Sequence, residues 1–322
     1  MTRPVALVSA ASGVGDVIRM TPLIRVFVQL GYEVDVLLAP DYLETVELLE
    51  GAPEVRRVFF IASRWCREQR CRLEGLQQTE YDIAAFSALS LVHRHLARAR
   101  RVLAFNATQW REEGDLACVR ALARTVGWSD PLPPPFACIS DRQFPIESGT
   151  VALHPGCKPG WPWKKWHGFG DLAALLPRVV LVGTTEDLDN RGTYFGRPIE
   201  WPRHIQSYVN ALGLRDTAAL LSQCAALVSN DSGMMQLGVA VGVTTVGIFG
   251  LTSPAREAFA VPHMHAITKG LPCEPACRKQ PWGRRDCAYH LQCLKSLTAN
   301  EVVAAIRAAL PAMSLEANAC AG

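Results

Sequence analysis

Leu227-Val-Ser-Asn-Asp-Ser-Gly-Met-Met-Gln-Leu-Gly-Val-Ala-Val-Gly-Val-Thr-Thr-Val-Gly-Ile-Phe-Gly-Leu-Thr252 reads as strand, turn, helix, strand. Apolar Ala226 to Val228 end at a polar turn, Ser229-Asn-Asp-Ser-Gly233; a small-residue helix follows, and β-branched Thr244 to Phe249 supply the next strand. The turn opens a helix N-terminus. There Ser232 and Gly233 offer a hydroxyl and backbone N–H groups to a phosphate, and the helix dipole favours the same negative charge. A nucleotide diphosphate suits such a turn. The competing reading is that Asn230, Asp231 and Ser232 only cap the helix, as such residues do in most α/β proteins.

A second segment, Ser9-Ala-Ala-Ser-Gly13-Val-Gly15-Asp16, follows strand Val5 to Val8 and leads to a helix expected from about Thr21 to Leu30. Two such strand-to-helix turns, far apart in sequence, predict an α/β chain of two nucleotide-type folds facing each other. Pro131-Leu-Pro-Pro-Pro135 breaks regular structure, so the linker falls between Pro131 and Gly149, with domains at 1–140 and 141–322. The C-terminal domain alternates strand and helix to about Ala266. A Cys-rich loop at 271–295 follows, then an Ala-rich helix from Asn300 to Leu310 and a tail from Ser314.

Composition fits a cytosolic two-domain enzyme: 322 residues, 49% hydrophobic, with neither a membrane-spanning segment nor a secretory signal in the pattern. Eleven Cys in that setting imply reduced thiols. The formal charge of +3 hides an asymmetry, because Val55 to Arg124 holds 13 Arg, no Lys and 7 acidic residues. Either this is a solvated Arg-rich surface, or it meets an acidic acceptor or a membrane surface bearing one. Nucleic acid is disfavoured, since no recognisable binding motif interleaves the basic residues. Only six Lys occur, yet Lys158, Lys164 and Lys165 fall within eight positions, and a compact ammonium suits a diphosphate. Trp161-Pro-Trp163 beside them could stack on a base or simply pack.

Taken together the motifs resemble glycosyltransferase family 9, the ADP-heptose heptosyltransferases. Gly15-Asp16-Val17 with Thr21-Pro22, Tyr81-Asp82-Ile83, the Arg98 to Arg101 cluster with Val102-Leu-Ala-Phe105, His154-Pro-Gly156, Lys164-Lys-Trp166, Asp231-Ser-Gly233 and Gly250-Leu-Thr-Ser-Pro254 carry the resemblance. It implies the GT-B fold, two Rossmann-like domains with parallel sheets facing across a cleft. The N-terminal domain would bind the acceptor and carry the catalytic base, and the C-terminal domain would bind the nucleotide sugar. By resemblance Lys164 is the Lys-x-Trp residue, with Lys165 its neighbour, and Glu186 matches an acid that contacts the ribose. Glu186 could equally be a helix N-terminal acid. Asp231, Ser232, Gly233, Gln236 and Thr252 complete the donor set. Gln236 departs from the family, which usually has His there; an amide hydrogen-bonds but carries no proton or charge near neutral pH.

The resemblance further implies inverting transfer of a heptose from ADP-heptose without a catalytic metal or other cofactor. Asp16 would take the acceptor's proton while phosphate-binding groups stabilise the leaving charge; its alternative role is to cap its helix. The acceptor is open between lipopolysaccharide core, a protein hydroxyl and a small molecule, with peripheral membrane association at the inner face compatible with the first. Two rival classes bear on the same residues. A dehydrogenase would want Gly-x-Gly-x-x-Gly after strand one, and here Gly13-Val-Gly15 lacks the third Gly. A non-catalytic nucleotide-sugar-binding or scaffold protein is consistent with Gln236, whereas Asp16 and Lys164 argue for an enzyme.

Cys273-x3-Cys277-x9-Cys287-x5-Cys293 packs four thiols into a loop rich in Pro, Gly and charge. Four thiolates around one ion would fold such a loop, and tetrahedral sulfur ligation points to a structural zinc or iron. Free structural thiols and redox pairs are the alternatives, with His290 as a substitute ligand. Some members of the resembled family carry similar loops.

Overall fold

The computed structural model describes residues 3–61, 71–158, 160–190, 193–273, 287 and 289–310. The chain divides into two compact units, Met1–Ile139 and Ser140–Gly322.

In the first unit β1 (Val5–Ser12) runs into α1 (Val14–Gln29), and β2 (Glu33–Pro40), β3 (Arg57–Phe60), β4 (Glu80–Phe86) and β5 (Arg98–Ala104) complete a five-stranded sheet. Its order is β3-β2-β1-β4-β5 and every pairing is parallel. Strands in such a sheet are apolar on both faces. Accordingly β2 is buried from Val34 through Pro40, and separate cores lie on the two sides, one around Val8, Phe27 and Leu122, the other around Leu7, Tyr81 and Phe86. The helices α2 (Ala107–Glu113) and α3 (Asp115–Thr125) finish this unit.

Helix α1 begins seven residues earlier than its sequence suggested and carries Pro22 inside it. Proline removes a backbone donor and leaves the carbonyl four residues back unsatisfied. Here the Thr21 hydroxyl takes that carbonyl, donating to Ile18 O at 2.8 Å. The helix therefore continues through the proline, and Gly13-Val-Gly15-Asp16 becomes its first turn rather than a loop ahead of it.

The second unit repeats the plan with β6 (Val151–His154), α4 (Phe169–Leu175), β7 (Val179–Leu181), α5 (Thr185–Leu188), β8 (Gln206–Ser207), α6 (Leu214–Gln223), β9 (Ala226–Asn230), α7 (Gly233–Ala240), β10 (Thr244–Ile248), α8 (Pro254–Glu257), β11 (Met264–Ile267), α9 (Gln292–Lys295) and α10 (Ala299–Ala309). Its six-stranded sheet has the order β11-β10-β9-β6-β7-β8, again all parallel. Both orders reverse direction from the first strand of the unit, the doubly wound Rossmann pattern. The core of this unit gathers on Trp166 and Phe169, both fully buried, and the Trp166 indole N–H is satisfied by Leu297 O at 2.9 Å. The tail from Ser314 lies outside the described residues.

No described helix is long and apolar enough to cross a membrane.

Candidate functional site

In an open parallel sheet, ligands bind beyond the C-terminal strand ends at the point where the strand order reverses. In the second unit that point is between β6 and β9, where His154 at the end of β6 pairs with Ser229, one residue before the end of β9. The polar turn Asn230-Asp231-Ser232 leaves this spot and enters α7, where Ser232 is the N-cap, its hydroxyl accepting the Met235 N–H at 3.4 Å.

Only one of the three polar turn residues is a cap. Asn230 is fully buried and works as a staple: its amide nitrogen donates to Pro155 O at 2.7 Å, and its Oδ1 receives the Trp166 N–H at 3.0 Å. It thereby ties Pro155-Gly156 to the segment that carries Lys164. Asp231, 3% exposed, has its N–H on Ile248 O and accepts the Thr252 hydroxyl on Oδ2 at 2.6 Å. The same oxygen meets the Lys164 ammonium. Lys164 ends a short 3₁₀ turn, Pro162–Lys164, and its ammonium lies 5.5 Å from the centre of the Trp161 ring. Lys164, Asp231 and Thr252, drawn from three loops, thus converge at the mouth of α7.

Lys165 goes elsewhere. Its ammonium reaches the carbonyls of Glu186, Asp187 and Asp189, at 3.3, 2.7 and 2.8 Å. A lysine has three donor hydrogens, so these three acceptors account for all of them. The residue is 5% exposed, and it anchors the end of α5 instead of presenting a cation to a donor. Lys158 is exposed on its loop.

Glu186, the exposed second residue of α5, lines a cavity of about 450 Å³ with Thr185, Leu188, Asp189, Asn190 and Arg197. Its neighbour Asp187 is turned inward. Burial pushes the Asp187 carboxyl up, but the His154 ring at 3.5 Å and the N–H and hydroxyl of Thr184 outweigh it and hold the group at about 2. Cys157 is close by; burial drives its thiol up to about 11, only partly offset by Lys164 and Lys165.

Gln236 is completely buried on α7, and its amide donates to the Glu257 carbonyl at 2.7 Å, at the end of α8. Its Oε1 has no hydrogen-bond partner among the described residues. The side chain thus joins two helices.

In the first unit the corresponding reversal lies between β1 and β4. Ser12 closes β1 with a φ of 81°, a backbone region that L-residues rarely occupy and that recurs at functional turns. Its hydroxyl donates to Asp41 at 3.0 Å. Asp16 is the third residue of α1. One carboxylate oxygen accepts the Gly13 N–H at 3.0 Å, the other meets Arg19 at 3.3 Å, and the side chain retains 29% exposure. Arg19 also approaches Asp115 at 3.6 Å. The capping role of Asp16 is therefore real, and it leaves the carboxylate open to solvent.

Among the cysteines, Cys287 accepts the Leu291 N–H on sulfur at 3.4 Å, and Cys293 is buried. Cys273 is half-buried, and Cys277 lies outside the described residues. No group of three or more His, Cys, Asp or Glu gathers around one point among the described residues.

The model of glycosyltransferase family 9 (heptosyltransferase) matches residues 197–282. Lipooligosaccharide heptosyltransferase 2 of Haemophilus influenzae is 30% identical over 118 residues, 34% of this chain and 33% of that enzyme. Over the whole length, the structure of Escherichia coli ADP-heptose LPS heptosyltransferase II superposes with a TM-score of 0.70 at 20% identity, covering 96% of this chain and 99% of the other. The family match lies within the second unit, and the likeness over the whole chain is one of fold. Dodecameric iron-containing heptosyltransferase TibC of enterotoxigenic E. coli, in complex with ADP-D-beta-D-heptose, shares the fold at a TM-score of 0.61 and 16% identity, covering 97% of this chain and 79% of the other. The two solved structures establish the two-sheet GT-B architecture of this chain. The match to the curated Haemophilus relative spans only about a third of that protein's length, 33%.

The residues missed from sequence are His154, Asn230, Asp187, Arg19 and Asp115. Each is buried or half-buried and acts on a partner distant in the chain. The one local signal was His154, placed at a strand end directly before Pro-Gly.

Proposed function

We propose that this chain is an inverting glycosyltransferase that moves a heptose from ADP-heptose to an acceptor hydroxyl. The observation that carries the proposal is the convergence of Lys164, Asp231 and Thr252 on the N-terminus of α7 at the switch point of the second sheet. An ammonium, a hydroxyl and free N–H groups at a helix mouth are the complement of a diphosphate. ADP-heptose, named for the structurally similar heptosyltransferases, supports the nature of the donor.

In this reading the backbone of Ser232 and Gly233, with Lys164 and Thr252, binds the diphosphate, and Glu186 beside its cavity takes the ribose. Lys165 serves the site indirectly by fixing the carbonyl of Glu186. Asp231, paired with Lys164, orients that ammonium. Asp16 is the general base: it removes the acceptor proton as the oxygen attacks the sugar carbon, and the C–O bond to ADP breaks with its electrons going to phosphate. No metal is needed for this step, because the cationic and N–H groups neutralise the leaving charge.

The acceptor is a sugar hydroxyl of lipopolysaccharide core or a protein hydroxyl, met by the first unit, whose Arg-rich segment suits an anionic acceptor at a membrane face. The Cys273, Cys277, Cys287 and Cys293 loop is proposed to hold one structural zinc or iron ion. The N–H···S contact from Leu291 fits a thiolate at Cys287, and TibC is a related iron-containing protein. Mass spectrometry of products from incubation with ADP-heptose and lipopolysaccharide or protein acceptors tests the activity. A heptose mass increment on acceptor with release of ADP is expected, and neither transfer nor donor hydrolysis would sink the assignment.

A further inference from the structure

The second unit contains a buried chain of contacts that the proposed mechanism leaves unused. His154, at the end of β6, is 5% exposed. Its Nε2 stands 3.5 Å from Asp187 Oδ2, while its Nδ1 stands 3.1 Å from Ser229 Oγ and 3.3 Å from Ser232 Oγ. These partners come from α5, β9 and the cap of α7.

Asp187 is ionised across the neutral range and only accepts, so Nε2 carries the hydrogen between them. The Ser229 hydroxyl has its own acceptor, Asn230 O at 2.8 Å. The Ser232 hydroxyl stands 3.3 Å from Nδ1 and 3.0 Å from Ser229 Oγ, and its oxygen accepts the Met235 N–H, so Nδ1, Ser229 and Ser232 form one connected polar cluster.

The space around Asp187 is tailored to the same contact. A Cβ on Gly156 would overlap the Asp187 carboxylate, and one on Gly183 would come within 2.8 Å of it and 3.2 Å of the His154 ring. Gly183 also has a φ of 126°, a region closed to other residues. His154-Pro-Gly156, Gly183 with Glu186-Asp187, and Ser229 to Ser232 thus meet at one imidazole.

We propose that His154 is a positioning residue of the donor site, holding the turn that carries Glu186 in register with the helix cap at Ser232. The inference rests on the reading of this site as one for a nucleotide diphosphate. It makes His154 the link that lets ribose and phosphate be gripped together.

The test is a mutant cycle read as ADP affinity by calorimetry on the full chain. Glu186→Gln, Ser232→Ala and the double variant are compared in the native background and with His154→Phe, which keeps the ring shape and loses both polar contacts. In the native background the two effects should be coupled by about fivefold or more; with His154→Phe they should multiply to within about twofold. If His154→Phe does not fold, His154→Asn replaces it, since the shorter amide can meet the serines without reaching Asp187. Coupling that persists without His154, or a native background in which Glu186 and Ser232 already act independently, overturns the role of His154 alone. Failure of the unmodified chain to bind ADP overturns the donor-site reading together with it.

Discussion

Lys164 and Asp231 form an ion pair with side chains 12% and 4% exposed, at the mouth of a helix rather than in a sealed core. A buried pair of this kind adds little net stability, and removing one partner leaves an uncompensated charge. On the proposed function, Asp231 would fix where the ammonium stands before a phosphate arrives.

Lys164→Ala should weaken ADP binding by roughly 10- to 150-fold, because a charged hydrogen bond is worth roughly 1.5–3 kcal/mol. It should also lower Tm by stranding Asp231, whereas Lys164→Ala combined with Asp231→Asn should recover Tm and not affinity. Calorimetric titration alongside thermal melts separates the two effects. Unchanged ADP affinity in the single variant would remove Lys164 from the site.

Asp16→Asn should retain the fold, since an amide oxygen can still accept the Gly13 N–H that the carboxylate now takes at 3.0 Å. Transfer should nonetheless fall roughly 10²–10⁴-fold, the usual contribution of a general base. ADP affinity should stay near that of the native chain. Product formation within a few-fold of native would show that proton removal lies elsewhere.

The Asp187 carboxyl sits at about 2 against its ordinary 3.8, the lowering by His154 and Thr184 exceeding the rise from burial. A carboxylate depressed in the folded state contributes stability that is fully present above 3.8 and is lost as pH falls from there through about 2. Asp187→Asn should therefore cost about 2 kcal/mol at pH 7 and progressively less below pH 4. Urea unfolding of both proteins across that range is the measurement, and a gap independent of pH would show that the charge is not the source.

Purified protein should carry about one zinc or iron ion per chain, with removal by chelator lowering Tm and leaving ADP affinity intact. Gly250→Ala should mimic part of that loss, as a Cβ there would meet Leu294 at 2.6 Å and the Cys293 sulfur at 3.2 Å. Elemental analysis finding no metal, with Cys273, Cys277, Cys287 and Cys293 freely titratable, would rule the site out.

The sequence by itself determined the two α/β halves, the strand-to-helix turns and the family resemblance, because these depend on apolar runs and turn chemistry that are local. Val5 to Val8 and Ala226 to Val228 are strands wherever they are placed, and Ser229 to Gly233 must turn. The start of α1 was not legible, since Pro22 reads as a boundary until the Thr21 hydroxyl is seen to satisfy Ile18. Adjacent Lys164 and Lys165 are chemically identical, and only tertiary structure sends one to Asp231 and the other to the carbonyls after Glu186. The same holds for Gln236, whose amide is bound to the Glu257 carbonyl by the approach of α7 to the end of α8. His154, Asp187 and Ser232 are separated by dozens of positions, and what brings them together is the parallel register of β6 with β9 and β7. Such a meeting point is a property of strand order and register, which no local pattern encodes.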